Sequence, residues 1–424
     1  MTFMAPLRDT FRSFAVDHGL SVTDALFFAS VCAFFFFLPL RTDATATILV
    51  MTVFSIAAVR QHGTALPPLA GWAKASLLAF VFFLGIGLLA SLLHPATLSR
   101  FPRMLLWGCC VFSGVALSRC IPRHGSGYFW ALFASLAVSF AVAVLFFGYD
   151  ASRLWHLGRL KLFAIHPSRL ALYCAACLFF LLYRTIVSAG RERFLAFAGS
   201  LLVFFMLFST NTRANLLLLP LGIVCLGAVL PARHMKRLGL AFAVCVMLGG
   251  AALWLNGSHA AERLVSAVTN PLADPTFKTR IPIWEVGWES FKESPLIGTG
   301  HQSYLALHDA YLAEHGNDMD KRYELYEVNV KQAHNLILGR LVETGILGAA
   351  GFLLFYLGAV AAAWRGPAEQ RWLLAPLVFY MAMNMFDDGL FRMNDAFILF
   401  VAGTALGAAA VPRFPAPRRS SPER

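Results

Sequence analysis

The sequence predicts an all-α polytopic membrane protein with about twelve transmembrane helices. Composition is the first reason: of 424 residues, 58% are hydrophobic and 14% charged, and mean hydropathy is +0.65. A soluble chain keeps about a quarter of its residues charged. The second reason is run length. The apolar stretches mostly extend over about 16 to 24 residues, which suits helices crossing a hydrocarbon core of roughly 30 Å. Membrane strands would need alternating segments of about ten residues, and the chain has no such pattern.

Taken in order, the expected spans are 25–40, 44–59, 72–93, 103–118, 126–149, 168–187, 193–209, 212–230, 236–255, 334–363, 371–388 and 394–411. The first follows a polar and amphipathic start. Leu38-Pro39-Leu40-Arg41 is a poor cleavage site, so this run reads as an uncleaved span. All eight cysteines fall within or at the edge of apolar runs. Cys174-Ala175-Ala176-Cys177 has redox spacing but neither histidine nor acid beside it, and reads as small packing residues. No disulfide framework is expected.

An even number of spans puts both termini on one side, and basic residues choose the side. Arg8 and Arg12, Arg60 and Lys74, Arg119 and Arg123, Arg184, Arg191 and Arg193 all fall on one face. Arg233, Lys236 and Arg237, Arg365 and Arg371, and the tail with Arg413, Arg418, Arg419 and Arg424 continue it. That face should be cytoplasmic. The formal charge of +12 then reflects orientation and anionic membrane lipid, not nucleic acid. As a single integrated unit, residues 1–255 hold helices one to nine and 256–333 an extracytoplasmic loop. Residues 334–411 hold helices ten to twelve, and 412–424 a basic cytoplasmic tail.

The opposite face carries the unusual features. The 256–333 segment holds nearly half of the acidic residues. Ile281, Trp284, Trp288 and Phe291 fall on one helical stripe, and Tyr304, His308, Tyr311 and His315 on another before an expected stop at Gly316. An ordered helical cap is expected. A second outer connection, Tyr149 to Pro167, mixes Arg153, His156, Arg159, Lys161 and His166 with Trp155 and Phe163, as an interfacial segment touching anionic headgroups would.

Three residues are candidates for chemistry. His334 stands where the polar loop meets the tenth span. A helix beginning around it favours the neutral imidazole that a general base requires. On a helical period it shares a face with Leu341, Gly345 and Gly348, and the glycines should admit a neighbouring helix. Arg213 opens the eighth span within the hydroxyl-rich patch Ser209-Thr210-Asn211-Thr212-Arg213, and its planar fork suits phosphate oxygens. Arg280 enters the Trp284 helix ahead of Pro295-Leu296-Ile297-Gly298-Thr299-Gly300. Those two glycines suggest a tight turn that brings backbone amides close to a partner. Asp318 and Asp320 have metal-motif spacing inside a run of alternating charges and read as a solvated face. Asp387 and Asp388, near Arg392, are membrane-edge acids that should have partners. Glu343, on the opposite face from His334, should bridge to another helix.

These residues resemble the O-antigen ligase and polymerase family of bacterial membrane glycosyltransferases. The likeness rests on Ser209–Arg213, on Arg280-x-x-x-Trp284 leading to Pro295–Gly300, and on His334-Asn335 with Glu343-x-Gly345-x-x-Gly348. It implies a C-type membrane glycosyltransferase fold in the bacterial inner membrane, with the active site periplasmic and no cofactor or metal. The implied donor is a glycan on undecaprenyl diphosphate, and the implied acceptor is lipid A–core. Arg213 and Arg280 would hold the diphosphate and His334 would be the base. Asn211, Trp284, Arg159, Lys161, Asn335 and His301 would contact substrate. The extra histidines His301, His308 and His315 depart from the pattern. An O-antigen polymerase is the alternative within the family. A twelve-span transporter or flippase is the rival from another class, but the polar features gather at one face instead of the midplane.

Overall fold

The computed structural model describes residues 19–40, 44–66, 68–122, 127–147, 155–156, 159–160, 162, 166–255, 269, 279–322, 330–386 and 396–409. The chain is an all-α polytopic membrane protein, and each expected span is a helix. They are α1 (Val22–Phe37), α2 (Ala44–His62), α3 (Gly71–Leu93), α4 (Pro102–Cys120) and α5 (Tyr128–Phe147). Then come α6 (Pro167–Val187), α7 (Gly190–Ser209), α8 (Arg213–Val229) and α9 (Met235–Leu255). The outer segment contributes α10 (Arg280–Glu293) and α11 (Tyr304–Arg322), and the chain returns through α12 (Leu336–Arg365), α13 (Leu374–Met383) and α14 (Phe397–Ala408). Seven of these, α1, α2, α3, α5, α6, α7 and α12, are long and apolar enough to cross a membrane unaided. Helices α8, α13 and α14 are shorter but apolar.

Among the seven long spans α6 is the most enclosed, with every residue from Leu170 to Tyr183 buried. Helices α4 and α14 approach so closely that a Cβ at Gly403 would lie 2.2 Å from the Val111 carbonyl oxygen, which is why small residues recur there. Large apolar side chains such as Leu78, Val81, Val224, Leu240 and Leu354 face outward, where lipid replaces water.

The connections differ from expectation in three ways. Helix α11 runs through Gly316 to Arg322, because one glycine costs a helix only about 1 kcal/mol. Helix α10 forms as expected, but its buried face is Ile283, Val286, Gly287, Ser290 and Phe291. Ile281 and Trp288 are exposed; large apolar side chains can face lipid, so their spacing did not mark the packed face. The 149–167 connection contains a small antiparallel hairpin, β1 (Trp155–His156) and β2 (Arg159–Leu160), pairing Trp155 with Leu160 and His156 with Arg159.

Candidate active site

The site is organised by a break in α12. Thirty helical residues would reach about 45 Å at 1.5 Å per residue, well beyond a core of roughly 30 Å. Gly345 interrupts them with φ 61° and ψ −171°. The part after the break pairs antiparallel with α3: Gly348 meets Ile86, Gly351 meets Phe83, and Gly358 meets Ser76. The break therefore lies level with the end of α3, and the part before it, a short helix from Leu336 to Thr344, lies beyond that end.

A broken helix leaves carbonyls and amides without partners. The Pro295–Gly300 turn supplies them. Thr299 N donates to Val342 O (2.9 Å) and Gly300 N to Glu343 O (3.0 Å). In return Ile346 N donates to Pro295 O (2.8 Å) and Leu347 N to Leu296 O (3.2 Å). The backbones pass so close that a Cβ on Gly298 would sit 2.4 Å from Thr344 N, and one on Gly345 2.2 Å from the Leu296 carbonyl carbon. The Thr299 and Gly300 amides thus serve the broken helix itself. The expected helical face of His334, Leu341, Gly345 and Gly348 is corrected accordingly. Gly345 is non-helical, His334 precedes the helix, and at Gly345 it is a loop that approaches.

Charge locks this junction. Glu343, buried, lies 2.8 Å from Arg340 Nη1 and 3.1 Å from His301 Nδ1, and accepts Gln302 N–H at 2.8 Å. Trp107 of α4 covers the group, with Arg340 Cζ 5.3 Å from its ring centre and the His301 ring edge-on at 5.1 Å. Arg340 and His301 are fully buried. Glu343 does bridge to another element, as expected, but the bridge runs to the 301–302 turn. Sequence reasoning missed Trp107, Arg340 and Gln302. It also missed Arg100 and Arg103, whose guanidinium groups donate to the Gln302 carbonyl and side-chain oxygens. Arginines between the third and fourth spans, on the face expected to be extracytoplasmic, were the signal available, by the logic that singled out Arg213.

His334 stands at the other end of the short helix. Its backbone is left-handed, φ 48°, a conformation uncommon outside glycine. Asn335 is the true N-cap, its side-chain oxygen accepting Leu338 N–H at 3.0 Å. His334 is half-buried, at the positive end of the helix but outside its register. Its Nδ1 lies 3.2 Å from the Gln332 side-chain nitrogen.

Topology brings the two arginines toward this end. Helices α8 and α13 pack side by side, and Ala228 and Val229 share a cavity with Arg371, so the end of one meets the start of the other. Residues 213–228 and 371–384 each extend over roughly 20 Å, placing Arg213 near the end of α13. That end binds the His334 segment: Leu336 N donates to Asn384 O (2.8 Å) and Asn335 Nδ2 to Met385 O (3.0 Å). Helix α10 runs antiparallel to the short helix. Its last turn feeds the break and its Gly287 meets Leu338, so its first residue, Arg280, lies at the end nearer the start of the short helix.

The remaining candidates fall as follows. Arg159 donates to Thr210 O (3.1 Å) and Thr212 Oγ1 (3.3 Å), placing a second guanidinium on the corner that precedes Arg213. Asn211 takes the left-handed turn of that corner, φ 46°. Trp284, Leu338 and Leu341 pack against one buried cluster that includes Ile283, Tyr304 and Val342, so Trp284 belongs to the packing between α10 and the short helix. Asn335 commits its side chain to the cap and to Met385, and His301 lies inside the charge lock. His308 is buried; burial lowers its pKa, partly opposed by Asp309. Lys161, Asp387, Asp388 and Arg392 lie outside the described residues, as do the side chains of His315, Asp318 and Asp320.

Residues 198–353 match the family model described as O-antigen ligase. The chain is also 25% identical over 189 residues, 43% of its own length, to "Exopolysaccharide production protein ExoQ" of Rhizobium meliloti (strain 1021). It covers 41% of that curated relative. Arg213, Arg280, His334 and Gly345 all fall inside residues 198–353, so the candidate site lies within the segment that is similar to the O-antigen ligase model.

Proposed function

We propose that the chain is an O-antigen ligase, moving a glycan from undecaprenyl diphosphate to a sugar hydroxyl of lipid A–core at the periplasmic face of the bacterial inner membrane. This reading is supported by the packing of α8 against α13 and of α10 against α12, which allows Arg213, Arg280 and His334, far apart in sequence, to share one end of the bundle. In the proposed step, His334 takes the proton of the acceptor hydroxyl as its oxygen forms a bond to the anomeric carbon. The bond from that carbon to the diphosphate breaks, and its electron pair leaves with the lipid diphosphate. Arg213 and Arg280 hold that group and offset its growing negative charge. Lipid diphosphate is a good leaving group, so neither a covalent intermediate nor ATP is needed.

Arg213→Lys is expected to lower turnover at least about tenfold, since lysine keeps the charge but not the two-pronged fork. Steady-state rates in detergent check this. Near-normal turnover would reduce Arg213 to a point charge.

A polymerase that uses the donor also as acceptor is the second reading, favoured by the relative named for exopolysaccharide production. Purified protein with undecaprenyl-diphosphate glycan, with and without lipid A–core, separates the two on a gel. Glycan joined to core supports the ligase. Glycan lengthening on its own carrier without core supports the polymerase, and neither product would return transport to the lead.

A further inference from the structure

Arg100 lies on the connection between α3 and α4, and Arg103 in the first turn of α4, level with the α12 break. Thr97 of that connection abuts Gly300, and both guanidinium groups turn toward the two carbonyl oxygens of Gln302. Gln302 is itself left-handed, φ 56°, a strained state for a residue with a side chain. It is held there by its N–H bond to Glu343. The turn thus offers both arginines neutral oxygens only. Among the described residues neither arginine meets a carboxylate within ion-pair distance. Each guanidinium has five donors and gives one to Gln302 in the bonds above. Arg103 stands in the first turn of α4, which carries no acid, so the positive helix end adds to the pair. Arg103 is exposed and Arg100 half-buried.

We propose that Arg100 and Arg103 form a second anion subsite, one that holds phosphate groups of the membrane-anchored acceptor glycolipid. The inference rests on the ligase reading. The donor's diphosphate is assigned to Arg213 and Arg280 at the His334 end. The new pair lies at the other end of the short helix, about 13 Å away along its nine residues. An acceptor whose hydroxyl reaches His334 while its phosphates sit at headgroup level would lie along that helix.

The test reads binding of fluorescent lipid A–core, native or phosphatase-treated, to wild type and to the Arg100→Gln/Arg103→Gln double variant. The proteins sit in nanodiscs of zwitterionic lipid. Dephosphorylation is expected to weaken binding to wild type by at least about tenfold. The double variant is expected to bind both acceptors with the same weak affinity, because the arginines and the phosphates act as one pair. Equal phosphate dependence in both proteins would overturn the proposal, since the arginines would then act only through the Gln302 turn. So would a phosphate effect that appears only in anionic nanodiscs, which would make bulk phospholipid the ligand. Phosphate-dependent binding without glycan transfer would leave the subsite standing and overturn the ligase reading alone.

Discussion

His334→Ala is expected to lower the rate of glycan transfer by about 10²- to 10⁴-fold, the usual contribution of a positioned general base. The donor KM should move little, because the diphosphate is assigned to Arg213 and Arg280. The variant should fold. His334 is half-buried, and the N-cap of the helix belongs to Asn335. Steady-state kinetics in detergent, with thermal unfolding as the control, measures both. A fully active, folded alanine variant would remove His334 from the proton-transfer step.

The largest effect on stability is expected at Glu343. In Glu343→Ala, Arg340 stays fully buried without the carboxylate 2.8 Å away, and breaking such a pair costs about 3–5 kcal/mol. His301 and the Gln302 amide lose their acceptor in the same change. The turn that fills the helix break then loses its anchor. The expected result is a markedly lower unfolding temperature and a low yield of folded protein. Glu343→Gln, which keeps shape and some hydrogen bonding, should fall between. A wild-type unfolding temperature for Glu343→Ala would contradict the charge lock.

The helices were legible because apolar run length is set locally: a stretch such as Gly71–Leu93 has no other stable place than a membrane. The N-cap was legible too. Asn335 before an apolar run is a standard helix start, and reading it as such would have placed His334 just outside the helix. The break at Gly345 was not legible. Its neighbours Thr344 and Ile346 continue the helical pattern, and the cause lies far upstream in the Pro295–Gly300 turn, whose amides and carbonyls replace those of the helix. Pairing of Glu343 with His301 and Gln302 is equally non-local. The face of α10 was misjudged because tryptophan and isoleucine spacing does not distinguish packing on protein from facing lipid. Arg100 and Arg103 were passed over because counting basic residues by face finds excesses, and two arginines on the outer face make none.

At the centre of the account is a direct displacement, in which a hydroxyl relieved of its proton at His334 attacks the anomeric carbon and expels the lipid diphosphate. The anomeric configuration of the new linkage tests it most directly. A donor of known configuration would be turned over by purified wild type, and the product linkage read by NMR. Inversion is predicted, since one attack from the face opposite the leaving group reverses the centre. Retention would contradict the account, because it requires a second displacement through a covalent glycosyl-enzyme.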